Sequence, residues 1–310
     1  MKIIKKIRRL IERPARLLIG IQLRYAHLFN DQKALIKGLY WMSVGKHLNL
    51  KEPKTFTEKI QWLKLFDHNP IYHTMVDKYL VKKYVEGIIG SEYIIPTIGI
   101  WDNVDDIDFS SLPNQFVLKT THGGGNSGVV ICKDKDSFDI NRAKIHLEKS
   151  MRKNIYTELG EWVYKDLQPR ILCETFIENV DDKGRDLIDY KFFCFNGEAK
   201  YCQVIADRRT EETIDFFDRN WSHMPFCGLN PKCGHASKLA SKPILYDDML
   251  RIADTLSSGM PFLRVDLYYI NNRVYFGELT FYPASGLGVF NPNEWDYILG
   301  EYLDLSSLKR

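Results

Sequence analysis

The stretch QFVLKTTHGGGNSGVVICK, residues 115–133, limits this chain more than any other part of it. Four glycines fall between Thr120 and Gly128, flanked by FVLK and VVIC, two runs of strand composition. Gly123-x-Gly125-x-x-Gly128 has the spacing of a dinucleotide fingerprint. That motif must open a helix, however, and the run after Gly128 is short and β-branched. A Walker loop fails because no Gly-Lys-Ser/Thr occurs in it. Val130 completes the kinase pattern G-x-G-x-x-G-x-V, yet no H-R-D or D-F-G occurs after it. Two readings remain: a tight glycine turn without a ligand, or a glycine flap whose backbone N–H groups fold over nucleotide phosphates. Under the second, Lys119 closes the entering strand and can bring its ammonium to those phosphates.

Composition narrows the setting. With 45% apolar and 27% charged residues, the 310-residue chain has an ordinary globular profile, and no apolar run approaches a membrane span. The net charge of +3 is unevenly placed: residues 1–24 hold eight Lys/Arg against Glu12 alone, leaving the remainder at −4. A slightly acidic body argues against nucleic acid as a partner. Apolar positions Ile3, Ile4, Ile7, Leu10, Ile11, Leu17, Leu18 and Ile21 largely follow helical spacing, and Lys and Arg fill the other face until Pro14 interrupts. The segment suits either an anionic membrane surface or packing on its own domain. LLIGI is too short for a signal peptide, and the six cysteines form no CxxC pair, so a cytoplasmic protein is expected, with possible attachment to the inner membrane face.

Thr55-Phe56-Thr57-Glu58 reads as a capping box opening a helix in which Ile60, Leu63 and Phe66 share a face. A single second helix is expected over IYHTMVDKYLVKKYVEG, ended by Gly87, with Asp77-Lys78 simplest as a solvated face. YIIPTIGIW reads as a strand and turn. Further on, RILCETFIE is a strand ending in carboxylates, and Asn196-Gly197 turns a hairpin. Taken alone, Glu174 and Asp189 read first as ordinary strand-end charges.

Two β-rich runs flank Asn271-Asn272, each with one carboxylate among apolar neighbours: Asp266 in LRVDLYY and Glu278 in YFGELTF. Solvated hairpin charges are one reading; a hard-oxygen pair for Mg²⁺ on a polyphosphate is the other. Arg264 points to the same side as Asp266 and can neutralise a transferred phosphoryl group. An unbulged two-residue turn would set Asp266 against Gly277, placing the carboxylates on opposite faces. A shared cation demands a three-residue loop or one bulge, and this is the register expected.

Taken in order, FTEKIQWLK, VDKYLVKKYV, FVLKTTHGGGNSG, ILCETFIEN, DYKFFCFNG, RVDLY and GELTFYPASG resemble the TupA-like ATP-grasp family of teichuronopeptide and capsular polysaccharide biosynthesis, over residues 50–295. The resemblance implies an α+β (α/β) ATP-grasp fold: a basic segment 1–30, a helical N-terminal lobe 31–115, a small β-rich lid 116–175 and an antiparallel C-terminal lobe 176–310. It implies ATP and Mg²⁺ as cofactors. Lys119 would touch the α/β-phosphates, with His122, Gly123, Gly124, Gly125 and Gly128 over them. Glu174, Phe176 and Ile177 would form the adenine hinge, with Asp189 near the ribose. Asp266, Glu278 and Thr280 match the metal positions, although the wider superfamily usually has Asn where Thr280 stands. Gly286 and Ser285 match a turn offering N–H to an acyl phosphate. The implied reaction joins a carboxylate to an amine, on a uronic-acid or amino-sugar unit, alongside surface-polysaccharide biosynthesis proteins. Arg208 and Arg209 are candidates for gripping the substrate carboxylate, or a solvated pair.

Three other readings stand beside it. Asp134-Lys135-Asp136 is the D-x-D of a sugar-nucleotide glycosyltransferase, or a solvated turn. His223, Cys227, Cys233 and His235 can be read as a zinc staple, although their spacing matches no standard pattern. A nucleotide-binding protein without catalysis is the last.

Overall fold

The computed structural model describes residues 31–124, 128–178, 187–206, 212–229, 234–306 and 308. The basic segment 1–24, Gly125, Arg208, Arg209 and Cys233 lie outside the described residues. No helix among the described residues is long and apolar enough to cross a membrane.

Helix α1 (Gln32–Val44) starts at Asp31, whose carboxylate accepts from the N–H groups of Lys33 and Ala34. Helix α2 (Phe56–Phe66) opens with the capping box expected at Thr55 and Glu58, each side chain accepting from the other's backbone at 3.2 Å. It buries Ile60 and Leu63, but Phe66 sits at the exposed rim against Trp62.

The single helix expected next is two: α3 (Ile71–Val76) and α4 (Leu80–Ile89). Asp77 makes the break. Its Oδ1 accepts from the N–H groups of Tyr79 and Leu80, both at 2.9 Å, so a side chain replaces the helical ladder. Asp77 is 1% exposed and Lys78 is largely buried, so the pair is not a solvated face. Gly87 lies within α4, which ends instead at Gly90 (φ 105°).

Strands β1 (Thr97–Trp101), β2 (Phe116–Thr120), β3 (Val129–Cys132) and β4 (Ile171–Thr175) form an antiparallel sheet in the order β1-β4-β2-β3. Helix α5 (Ile140–Met151) packs on it, closing a small core around Phe116, Leu118, Leu147 and Cys173. The short helix α6 (Ile155–Leu159) comes next. β1 therefore shares a core with the flap strands, although it comes from the stretch expected as the N-terminal lobe.

A second antiparallel sheet has the order β10-β9-β5-β6-β7, from β5 (Asp189–Phe195), β6 (Glu198–Ala206), β7 (Thr213–Asp218), β9 (Phe262–Ile270) and β10 (Arg273–Thr280). β8 (Cys227–Gly228) and β11 (Phe290–Asn291) pair separately, and α7 (Tyr246–Ser257) and α8 (Glu294–Tyr302) complete the fold. Helices α2 to α4 join this sheet's core. Phe56, fully buried, meets Phe193, Phe195, Phe262 and Phe290 at 5.0–6.3 Å between ring centroids. Truncating it to Ala would cost about 3–5 kcal/mol. Asp296 of α8 fastens α2 by accepting from Thr57 N and Oγ1 at 2.9 and 2.7 Å.

Candidate active site

The β9–β10 hairpin turns through Asn271 and Asn272 at φ 51° and 57°, a left-handed pair that Asn tolerates. From Arg273↔Ile270 to Phe276↔Leu267 it keeps the register of a two-residue turn. Then Gly277 is skipped, and Glu278 pairs with Asp266. This is the one-bulge register expected for a shared face. A Cβ at Gly277 would meet the Asp266 carbonyl at 2.9 Å, which explains the glycine.

Asp266 pairs on its other side with Lys191, and Lys191 with Gln203, so one polar row crosses four strands. Arg264 binds Asp266 through Nε and Nη2 at 2.7 and 2.8 Å, and through Nη2 also Glu278 and Thr280, both at 3.0 Å. Lys191 donates to Asp266 and lies 3.7 Å from Asp189. Burial works against charge on Glu278, but Lys78, Lys191 and Arg264 prevail and hold its pKa down to about 2. Burial raises that of Asp266, against the pull of Arg264 and Lys191. Adjacent carboxylates pushed apart in this way are a mark of functional sites.

The first sheet supplies the opposing group. Glu174 sits opposite Val117, on the same face as Lys119, and takes Lys119 and Lys82 on its two oxygens, each at 2.5 Å. Burial favours a neutral Glu174, yet Lys119 and Lys82 hold its pKa below the ordinary value. Phe176 and Ile177 come directly after the strand, half-buried, with the Lys133 ammonium 5.9 Å above the Phe176 ring. The two sheets meet where Asn271 Nδ2 donates to the Glu178 carbonyl at 2.9 Å.

The flap is anchored at its root. Thr120 N–H donates to the Gly128 carbonyl at 3.0 Å, and Thr120 Oγ1 lies 2.9 Å from Ser150 Oγ of α5. A side chain at Gly123 or Gly128 would collide with the Thr120 hydroxyl. Gly124 is exposed. His122 is 5% exposed and, among the described residues, has no well-formed hydrogen-bond partner for either ring nitrogen; it lines a cavity of about 230 Å³ with Tyr164, Asn154 and Leu167. Burial lowers its pKa.

Lys78 joins the two halves. Its N–H donates to Thr121 O at 2.9 Å, its ammonium donates to Gly123 O, and the same ammonium lies 3.9 Å from Glu278. The helix break at Asp77 delivers it there, which sequence reasoning missed by running one helix through. Lys191 was missed too, although a lysine inside DYKFFCF, two residues from Asp189, carried a signal.

A few residues after β10, Ala284, Ser285 and Gly286 are all left-handed, at φ 47°, 58° and 61°. Helix α2 holds them: Gln61 donates to Ser285 O and Gly286 O at 2.9 and 2.7 Å, and Lys64 to Ser285 O and Oγ at 2.7 Å each. Lys64 is 2% exposed, and burial lowers its pKa to about 8 against the pull of Glu161.

The family model described as TupA-like ATPgrasp matches residues 58–304. The chain belongs to the TupA-like ATP-grasp family. Its two antiparallel sheets, meeting at the Lys78 cluster, are an ATP-grasp fold. No curated protein matches it. Among solved structures it is similar to the D-alanine–D-alanine ligase of Helicobacter pylori, at TM-score 0.38 and 16% identity, over 74% of this chain and 61% of that one. It is also similar to the D-cycloserine synthetase DcsG, at TM-score 0.39 and 15% identity, over 76% and 72%. A third is the ATP-grasp ligase PsnB complexed with minimal precursor, Mg and ADP, at TM-score 0.36 and 11% identity, over 73% and 57%. The chain thus spans about three fifths of the length of the Helicobacter ligase. Membership rests on the family model, since the superpositions are loose.

Asp134 and Asp136 lie exposed in the turn after β3, where Lys135 donates to Ser110 O and Leu112 O, both at 2.7 Å. The D-x-D is a surface turn in this ATP-grasp chain.

Proposed function

We propose that this protein is an ATP-dependent carboxylate–amine ligase. The observation that carries the reading is the bulge at Gly277, which puts Arg264, Asp266 and Glu278 on one face beneath the flap-bound Lys78. Lys119, with Lys82, draws the polyphosphate under the flap formed by His122, Gly123, Gly124, Gly125 and Gly128. Glu174, Phe176 and Ile177 form the hinge for the base, and Asp189 lies toward the ribose. Asp266 and Glu278 are hard-oxygen donors side by side, with the Thr280 hydroxyl next to them, and this donor set fits Mg²⁺. When bound, Mg²⁺ would neutralise phosphate oxygens.

In the reaction, a substrate carboxylate oxygen attacks the γ-phosphorus, the bond to ADP breaks, and an acyl phosphate forms. An amine attacks the acyl carbon, loses a proton and expels phosphate, leaving an amide. Arg264 neutralises charge building on the phosphoryl group, and the turn at Ser285 and Gly286 orients the acyl phosphate. The family resemblance supports a saccharide of capsular or teichuronic type as one substrate. Arg208 and Arg209 are offered as its carboxylate grip, and residues 1–24 as an attachment to the anionic inner membrane face.

The test is release of ADP and phosphate from ATP, screened over amino acids paired with uronic-acid saccharides. Release stimulated by one such pair, with an amide product, is expected. A nucleoside diphosphate released from a sugar donor, with ATP untouched, would overturn the reading in favour of a glycosyltransferase.

A further inference from the structure

A second cluster of ligating side chains lies on the other face of the five-stranded sheet. Asp215 shares a row with Val204, Tyr190 and Leu267, next to the row of Asp266, Lys191 and Gln203. Neighbouring rows point to opposite faces, so Asp215 is turned away from the candidate active site. It is 3% exposed.

Two histidines distant in sequence converge on one of its oxygens. His223 Nε2 and His235 Nδ1 each lie 2.8 Å from Asp215 Oδ1, while Oδ2 accepts from Ala236 N at 3.1 Å. All three ligand atoms lie within 4.8 Å of one another. The backbone fixes this convergence. Ile214 N–H donates to Gly234 O at 3.1 Å, and Met224 N–H to Phe216 O at 2.8 Å. Asp215 thus stands between two clamps, one beside each histidine. The imidazole side chains are 28% and 39% exposed, so the cluster is within reach of an ion from solvent.

From this geometry we propose that Asp215, His223 and His235 form a mononuclear site for a borderline transition ion of the Zn²⁺ class. Two imidazole nitrogens with one carboxylate oxygen suit Zn²⁺, whereas Mg²⁺ takes oxygen donors. Each neutral imidazole binds through the nitrogen facing Asp215 and carries its proton on the other. The ligand set differs from the His/Cys staple read as an alternative along the sequence, whose spacing fits no standard pattern: here Asp215 is a ligand, and Cys227 lies in β8, paired with β11. The ion fastens both histidine-bearing segments to the outermost strand of the sheet and plays no part in ATP turnover.

The test uses the full chain, stripped with chelator and titrated with Zn²⁺ or with Co²⁺ as a visible probe. One equivalent is expected to bind, to raise the melting temperature and to withstand excess Mg²⁺. In the His223→Gln/His235→Gln double variant, affinity falls by at least the roughly tenfold that even an outer partner of a ligand is worth. The melting shift vanishes, and ATP turnover stays at the wild-type level. If the double variant does not fold, His235→Gln alone, at the more exposed imidazole, is read by the same titration. No stoichiometric uptake by the wild type, displacement by Mg²⁺, or uptake undiminished in the variants would overturn the proposal.

Discussion

The two sides of the cleft carry opposite charge balances. Beside the four-stranded sheet, Lys119 of β2 and Lys82 of helix α4 share the carboxylate of Glu174, so the cations outnumber the anion there. On the five-stranded sheet, Arg264 and Lys191 face Asp189, Asp266 and Glu278, so the anions are in excess. Lys78 stands between them, bonded to the flap and close to Glu278. An excess of cations suits a polyphosphate; an excess of carboxylates suits a divalent ion and a transferring group. Under the proposed function this contrast is a division of labour, in which the cationic side binds nucleotide and the carboxylate side performs the chemistry.

Four predictions press on that division. The largest effect belongs to Arg264→Ala, expected to lower turnover by about 10²–10³-fold with ATP affinity little changed. Because Asp266 and Glu278 lose a shared partner in a buried site, stability should also drop by roughly 3–5 kcal/mol, read by urea unfolding. Next, Gly277→Val forces a side chain onto the Asp266 carbonyl and disturbs the bulge. Turnover should fall about 10²-fold through mispositioning, and equal loss of ATP affinity would break the comparison. Lys119→Ala acts on the binding side: nucleotide affinity should weaken by about tenfold, near 1.4 kcal/mol, while urea unfolding shows a smaller stability loss than Arg264→Ala, because the buried Glu174 keeps Lys82.

The smallest effect is in acid. Because the folded pKa of Glu278 is depressed to about 2, it stabilises the fold above the usual carboxylate range, and that contribution is lost as pH falls through about 2. Asp266, shifted upward, has the opposite sign, so its protonation begins at higher pH and relieves burial. Glu278→Gln should therefore show a flatter acid-unfolding profile below about pH 4.5 than wild type, followed by circular dichroism. A profile of unchanged slope would detach Glu278 from its cations.

Much of this site could be read along the chain alone. Local chemistry decided it: four glycines between strand runs, Asn-Gly and Asn-Asn turns, and a capping box each act within a few residues. The need for a three-residue loop or a bulge came from strand periodicity joined to the expectation of a shared ion, because two carboxylates on facing strands can share an ion only if they share a face. That the bulge falls at Gly277 comes from contact with the Asp266 carbonyl, which only the paired strands reveal.

What the sequence by itself determined was therefore most of the element types, the glycine loop between two strands, the hairpins and the family. Tertiary structure alone decided which distant groups meet. Asp77 reads as helix by periodicity, yet its carboxylate breaks the helix where Lys78 is tied to Thr121 and Gly123, more than forty residues on. Asp215 looks like any strand residue until two backbone clamps bring His223 and His235 onto one of its oxygens. Both cases have the same physical cause. Propensity and periodicity act along the chain, whereas buried charges must find partners across it, and the partner sets the local conformation.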